Sequence, residues 1–358
     1  MTSTTHSDFD KATEASDVAA AFPQAIKDRT ILVTGVNRQG IGYTTAEAFA
    51  SQAPRCLILA GRSEAKIKEC IEELQAQYST IDIRSLIVDL SSQKAVRAAA
   101  SEFLSWSDVP AVDLLINNAG MMRHGETFEG EVPVNEDGIE EMFATNHLGH
   151  FLFANLIVPK IIASAKRPGS TRIINLSSSG TYVSLFRASD IAWEKPASQL
   201  PENERPSFGM MRQAGMEVNE NMSYIPTAAY GHTKTCNILF SVGLNERFFS
   251  EYGILSLALN PGEVKTELGR NTDSAWLDRM IKRREAAGIH FWKTQRQGAS
   301  TTLVAACDPK LGLPGSDGSG VLLSDCQIWR APPYAVDKSA AEKLWKLSEE
   351  LVGQEFAM

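Results

Sequence analysis

Along most of the chain, short apolar runs alternate with longer amphipathic stretches, and each change of period marks a change of element. "TILVTG", ending at Gly35, is brief, β-branched and stopped by glycine, which predicts a buried strand; "IGYTTAEAFASQ" then has the composition and length of a helix. The alternation recurs with "CLILAGR" and the helix "SEAKIKECIEELQAQ", then "IRSLIVDL" and "SSQKAVRAAASEFLSW", then "VDLLINNAG" and a helix around "GIEEMFATNHLGHFLFANLIVPKIIAS". "TRIINLSSS" predicts a fifth strand, "AAYGHTKTCNILFSVGLNERFF" a further helix, "ILSLALNPG" a sixth strand and "SGVLLSDCQI" a seventh. Short apolar strands alternating with amphipathic helices mean an α/β fold with a doubly wound parallel sheet, covered by helices on both faces.

The rhythm breaks twice. Residues 185–228 are rich in Pro, Met, Asn and Glu and sustain little period, and an insertion of that length inside a compact domain reads as a substrate lid or binding loop, or else as a disordered segment. Residues 268–297 read as a helical excursion around "SAWLDRMIKRREAAG". The expected organisation is a polar arm over 1–28, one domain over 29–335 that contains the insertion, and a C-terminal helix over 336–358.

Composition narrows the function classes. The 358 residues are 43% hydrophobic and 22% charged, the balance of an ordinary globular chain, so disorder is not expected. A net charge of −8 leaves no long basic face for a polyanion, which argues against nucleic acid and anionic membrane as partners. Five scattered cysteines, odd in number and without a CxxC pair, suggest free thiols rather than a disulfide frame or a zinc site. No metal is expected: His147 and His150 read as packing or surface residues, since no carboxylate or cysteine cluster joins them. No run approaches the roughly 18 apolar residues of a membrane span, and the N-terminus lacks the basic and apolar regions of a signal peptide. A cytoplasmic location follows as the expectation.

The first strand–loop–helix of such a sheet offers backbone N–H groups and a helix N-terminus to an anion, and Gly35, Gly40 and Gly42 in "TGVNRQGIG" are placed for that task. The loop keeps ordered company: "NNAG" at 117–120, Asn146 in a helix, "NLSSS" after the fifth strand, "YGHTK" at 230–234 and "PGEVKT" at 261–266. Together these resemble the short-chain dehydrogenase/reductase family over residues 28 to about 330; with "LAGRS" after the second strand, the chain is most similar to the retinol-dehydrogenase and WW-domain-oxidoreductase type. The resemblance implies a Rossmann-type sheet and a nicotinamide cofactor, with Ile41 beside Gly40 and Gly42 at its phosphates. One departure stands out. The family's loop reads TGxxxGxG, whereas four residues, Val36 to Gln39, here separate Gly35 from Gly40. The wider turn leaves open which of Asn37, Arg38 and Gln39 faces the nucleotide.

A Rossmann protein that prefers NAD usually places an acid about 20 residues past its glycines, on the ribose 2′-hydroxyl. Here the second strand ends without an acid and offers Arg62, whose guanidinium pairs with a 2′-phosphate. NADP(H) is therefore the expected cofactor, with Arg38 as a second cation. By resemblance, Asp89 and Leu90 border the adenine, while Asn118, Ala119 and Gly120 line the adenosine ribose side. Asp89 also suits a cap for the following helix. Pro261, Gly262, Val264 and Thr266 bracket the nicotinamide by the same resemblance.

Tyr230 and Lys234 are four apart in a helical segment, hence on one face about one turn apart. A cation at that distance favours an ionised phenol, which would bring Tyr230 toward proton exchange near neutrality. Ser178 aligns with the family's substrate-binding serine, with Ser177 and Ser179 as alternatives, and Asn146 with its helix asparagine in a proton relay to the lysine. The resemblance thus implies hydride transfer from NADPH to a carbonyl carbon, with Tyr230 delivering the proton, or the reverse oxidation of an alcohol. Met210, Met211, Met216, Met222, Phe208 and Trp193 either suit an apolar small-molecule ligand or only seat the insertion on the core. A cofactor-binding sensor or scaffold without turnover and a redox-neutral cyclase or dehydratase are the rival readings. The family also implies a possible homodimer through the helices of Asn146 and Tyr230, where Phe151, Phe153 and Phe240 would serve either the interface or the core.

Overall fold

The aliphatic runs form one sheet, and the amphipathic segments lie across its two faces. The computed structural model describes residues 3–356 apart from 124–130, 214–215, 217, 269–273, 287 and 289–290. In chain order α1 (Ala15–Ala21) precedes β1 (Thr30–Thr34), α2 (Ile41–Ala50), β2 (Cys56–Gly61), α3 (Glu64–Gln77), β3 (Asp82–Ile87), α4 (Gln93–Ser105) and β4 (Leu114–Asn117). A short α5 (Glu141–Phe143) runs through a π-helical turn, Ala144–Leu148, into α6 (Gly149–Ile162), followed by β5 (Arg172–Leu176), α7 (Phe208–Gln213) and the long α8 (Pro226–Tyr252). The remainder comprises β6 (Leu255–Asn260), β7 (Glu263–Val264), α9 (Ser274–Ala286), β8 (Trp292–Lys293), α10 (Gln295–Cys307), β9 (Leu322–Ser324), β10 (Gln327–Trp329) and α11 (Lys338–Val352).

The main sheet has the order β10-β9-β6-β5-β4-β1-β2-β3, parallel from β3 to β9. The chain winds outward from β1 to β3, then returns to β4 on the other side of β1. That reversal opens a crevice at the carboxyl ends of β1 and β4, where such sheets bind ligands. β1 and β4 are buried at every position, which is why they read as unbroken apolar runs.

The seventh predicted strand is two strands. Asp325 and Cys326 have φ of 50° and 63°, and Gln327 pairs back to Ser324, so "LLSDCQIW" folds as a hairpin with a two-residue turn and adds an antiparallel eighth strand. The excursion after the sixth strand contains α9, and its two stems meet in a short parallel ladder, Glu263 to Trp292 and Val264 to Lys293; residues 269–273, 287 and 289–290 of it lie outside the described residues.

The N-terminal arm is a packed element. α1 lies on α10 and α2, the Thr5 N–H donates to Asp308 at 2.7 Å, and Gln327 on the edge strand donates to the carbonyls of His6 and Phe9. It thereby covers part of the open sheet edge. At the other end α11 lies on α8: Trp345 meets Phe151 edge-on at 4.9 Å, and Ser348 bonds His147 at 2.9 Å. Phe151 and Phe240 pack against Trp345 of α11, and Phe153 is buried as well, so these three aromatics fill the core of this chain. His147 and His150 are core residues rather than surface ones. Among the described residues, no helix is long and apolar enough to cross a membrane, no group of three metal-ligating side chains exists, and all five cysteines are free and buried.

Candidate active site

A cavity of about 680 Å³ opens at the carboxyl ends of the strands, and most of the residues expected at the cofactor line it. Gly35 holds φ of 71°, and a Cβ there would lie 2.5 Å from the Ala119 backbone, so glycine alone lets β1 end against the "NNAG" loop. α2 begins at Gly40 with no side chain capping it, which leaves its first N–H groups open beside Gly40 and Ile41 on the cavity wall. Gly42 lies one residue deeper, under Asn118. The extra loop residue is absorbed in a turn: Gly40 N–H donates to the Asn37 carbonyl at 3.0 Å, and Gln39 N–H to Asn37 Oδ1 at 3.2 Å. Asn37 thus lines the cavity. Arg38, expected as a second cation there, turns outward to Glu73 at 2.6 Å and lines, with Gln39, a shallower outer groove.

At the far end Arg62 and Ser63 follow β2 into the cavity wall, and among the described residues Arg62 has no ion-pair partner. Lys66, one helical turn on, lines the same wall and reaches Glu267 at 2.7 Å. Sequence reasoning named Arg62 but missed Lys66, which lies in the first turn of α3 four positions on. Asp89 and Leu90 line the cavity too. Asp89 Oδ1 accepts from the N–H and hydroxyl of Ser91, while Ser92 caps α4, so Asp89 braces its own turn instead of capping the helix. The N–H groups of Asn118 and Ala119 both donate to Thr34 Oγ at 3.0 Å. Gly120 follows, with Asn146 Oδ1 and Lys234 Nζ just beyond the position a Cβ would take.

The chemistry-bearing end is built on α8. Lys234 Nζ lies 5.6 Å from the Tyr230 ring centre and donates to the Leu176 carbonyl at 3.0 Å. The three serines separate by their partners. Ser177 donates to the Lys234 carbonyl at 2.7 Å, Ser179 is exposed, and Ser178, half-buried, hydrogen-bonds Tyr230. The 52 positions between Ser178 and Tyr230 are bridged because Gly180 and Gly231 touch: a Cβ on Gly231 would lie 2.5 Å from the Gly180 oxygen. Burial pushes the Tyr230 phenol up to about 12 against the pull of the Ser178 bond, and pushes the Lys234 amine down to about 8. Burial thus sets the direction of both shifts, upward for the phenol and downward for the amine.

Asn146 occupies the π-helical turn; its Oδ1 accepts the Met121 N–H at 2.7 Å, and its Nδ2 donates to the Met121 carbonyl and to Thr233 Oγ at 2.9 and 3.1 Å. It grips the backbone that follows Gly120. Pro261 and Thr266 line the cavity, whereas Gly262 lies on the buried stem of Lys293 and Val264 packs in β7 against Gly298 of α10. Beyond Met121 the wall continues through Arg123 and Glu141, an ion pair that no motif announced.

The two irregular stretches meet beside Tyr230. Trp193, Met211 and Met216 are buried there with Met142, Tyr224 and Ile225; Phe208, Met222 and, from α9, Met280 are half-buried against them, while Met210 is exposed. The methionines and aromatics expected at the ligand thus divide between core, rim and solvent. Glu140, at the N-terminus of α5, is buried under this cluster and accepts from Phe143 N–H at 2.7 Å and the Tyr224 hydroxyl at 2.9 Å. Burial pushes its carboxyl up to about 7.

Known proteins agree with this geometry. The family model described as short chain dehydrogenase matches residues 29–189. Oxidoreductase fscI of Fusarium equiseti is 35% identical over 254 residues, 71% of this chain and 94% of its own. Retinol dehydrogenase 14 of Mus musculus is 30% identical over 343 residues, 92% of this chain and 88% of its own. The crystal structure of an uncharacterized protein from Mycobacterium Paratuberculosis matches with a TM-score of 0.63 at 26% identity, over 95% of this chain and 98% of that one. Since these two relatives are 35% and 30% identical over 71% and 92% of the chain, the chain belongs to the short-chain dehydrogenase/reductase family, retinol-dehydrogenase type, whose members are oxidoreductases of alcohol and carbonyl groups that use a nicotinamide cofactor.

Proposed function

We propose that the protein is an NADP(H)-dependent reductase of a hydrophobic ketone or aldehyde, or oxidises the matching alcohol, with Tyr230 as its acid–base residue. The observation that carries this reading is the hydrogen bond between Ser178 and Tyr230 at the cavity end, with Lys234 one turn below. The residues present fit the cofactor: the uncapped start of α2 suits a pyrophosphate, and Arg62 with Lys66 suits a 2′-phosphate where an NAD-binding protein would carry an acid.

A bound NADP(H) supplies the hydride. Ser178 and Tyr230 would hold the substrate oxygen between two hydroxyls as it gains negative charge. A phenol raised to about 12 is protonated at neutral pH, the state needed to protonate an alkoxide when the reaction runs as a reduction. Lys234, with its Nζ on the Leu176 carbonyl, would steady the phenolate left behind. Asn146 fixes Met121, which lines the cavity next to Gly120. The described parts of 185–228 and α9 would serve as the lid beside Tyr230, where Phe208, Met222 and Met280 lie half-buried against the apolar cluster.

Incubating the protein with NADPH and a panel of carbonyl compounds tests the reading by loss of cofactor absorbance. Tyr230→Phe is expected to abolish reduction and leave NADPH affinity nearly unchanged, and Arg62→Asp to reverse the preference for NADPH over NADH. Full turnover by Tyr230→Phe would remove the tyrosine from its role.

A further inference from the structure

His150, to which the proposed chemistry gives no part, closes a chain of hydrogen bonds from the end of β1 to Asn146. The ring is 2% exposed and sits on α6, one turn beyond Asn146. Its Nδ1 lies 3.1 Å from the Asn146 carbonyl oxygen and its Nε2 lies 2.9 Å from Thr34 Oγ. A carbonyl can only accept, so Nδ1 carries the proton. Burial pushes the imidazole down to about 4, which leaves it neutral, with an Nε2 lone pair that takes the Thr34 hydroxyl proton. Both lone pairs of that hydroxyl are already used by the Asn118 and Ala119 N–H groups at 3.0 Å, and the alternative acceptor, the Ile116 carbonyl, is farther away at 3.3 Å.

Every group along this route is therefore spoken for. Asn146 itself occupies a π-helical turn, where carbonyls lack regular i+4 partners, and its amide is spent on Met121 and Thr233. Thr233 precedes Lys234, and Gly120, which precedes Met121, lies against Lys234 Nζ. The "NNAG" loop, the strand end that carries the first glycine, and the helix of Tyr230 and Lys234 are thus linked through one imidazole.

We propose that His150 is a positioning residue of the reaction centre: by bridging the Asn146 carbonyl to Thr34, it fixes residues 118–121 and the Asn146 turn at a set spacing from Lys234. It acts through Asn146 and touches neither substrate nor cofactor, and its effect on turnover rests on the dehydrogenase reading above.

The test uses the full chain with His150→Leu, which keeps bulk and removes both bonds; His150→Asn, whose amide can replace Nδ1–H; and Thr34→Val, which breaks the chain from its other end. Amide exchange over 118–121 in the cofactor-free protein is read by mass spectrometry, alongside kcat, KM and the melting temperature. The expected result is exchange roughly tenfold faster at Asn118, Ala119 and Met121 in His150→Leu, with β3 unchanged. kcat should fall roughly tenfold or more while KM moves less, and His150→Asn should recover most of both effects. Thr34→Val and His150→Leu combined should cost less than the sum of the two alone. Unmoved exchange in 118–121, a uniform rise across the molecule that follows the melting temperature, or failure of His150→Asn to rescue would each overturn the proposal. Should His150→Leu not fold, Thr34→Val decides at Met121, whose N–H is bonded to Asn146 and not to Thr34: faster exchange there supports the link through His150, and unmoved exchange overturns it. If the unaltered protein reduces no carbonyl, the dehydrogenase reading fails, and the exchange result still judges the His150 link on its own.

Discussion

Replacing Gly231 by alanine tests whether the contact of two glycines holds the Ser178 turn against the helix of Tyr230. A Cβ at this position would lie 2.5 Å from the Gly180 oxygen and 3.0 Å from Ser184 Cβ. Ordinary contact begins near 3.4 Å, so the turn and the helix must part by roughly 0.5–1 Å, because the obstacle is backbone and cannot rotate away. Ser178 is two residues from Gly180, and its hydroxyl both accepts from the Gly180 N–H at 3.2 Å and bonds Tyr230. A displacement of that size at a reacting oxygen costs about 10- to 100-fold in rate. Stability should fall by no more than about 2 kcal/mol, since alanine gains about 1 kcal/mol of helix propensity over glycine against an overpacking cost of about 1–3 kcal/mol. Neither glycine lines the cavity, so cofactor affinity should hold. The assay compares kcat for any carbonyl that the unaltered protein reduces, NADPH binding by fluorescence, and urea unfolding, with Gly209→Ala as a control because a Cβ there meets nothing within 4 Å. Undiminished kcat in Gly231→Ala, or loss of cofactor binding in step with kcat, would refute the reasoning.

Two further predictions concern pH, and they carry opposite signs. Glu140 is buried with its carboxyl raised from 4.5 to about 7, so its contribution is present in full below pH 4.5 and fades as pH rises through 7, by about 3 kcal/mol. Glu140→Gln should therefore raise the urea midpoint at pH 8 and leave it nearly unchanged at pH 5; equal effects at both would show that the carboxyl is not burdened by burial. His147, His150 and His232 are held neutral by burial, lowered from 6.5 to about 3, 4 and 4, so their contribution is present above pH 6.5 and fades as pH falls toward 4, by about 3 kcal/mol or more each. Three such groups outweigh one Glu140, and the midpoint should drop steeply below pH 6; a flat profile down to pH 4.5 would contradict neutral, buried rings.

The alternation of elements was legible because a parallel strand covered on both faces is largely apolar, as the centres of β1, β4 and β5 are, although β5 also buries Arg172 and Asn175. What escaped was short or depended on distant partners. β7 and β8 have two residues each, too few to show a period. The β9–β10 turn uses Asp325 and Cys326 in left-handed conformations where asparagine and glycine are usual, held by the Lys293 ion pair and by the bond from Cys326 N–H to Thr301. The arm looked merely polar because its bonds go to Asp308 and Gln327, some 300 positions away. The glycine loop and Arg62 were legible as local chemistry, but the direction of Arg38 depended on Glu73 in the next helix. Proximity and energetics also parted at Tyr230. The spacing of four correctly put Lys234 near the phenol, yet proximity alone does not set the sign of the effect. The same burial that brings the two together desolvates both, raising the phenol and lowering the amine, and a cation 5.6 Å from the ring centre does not reverse that. Spacing along a helix can bring a phenol and an amine together; the direction in which each is shifted is decided by the elements that close over them, here α5, the Ser178 turn and the insertion.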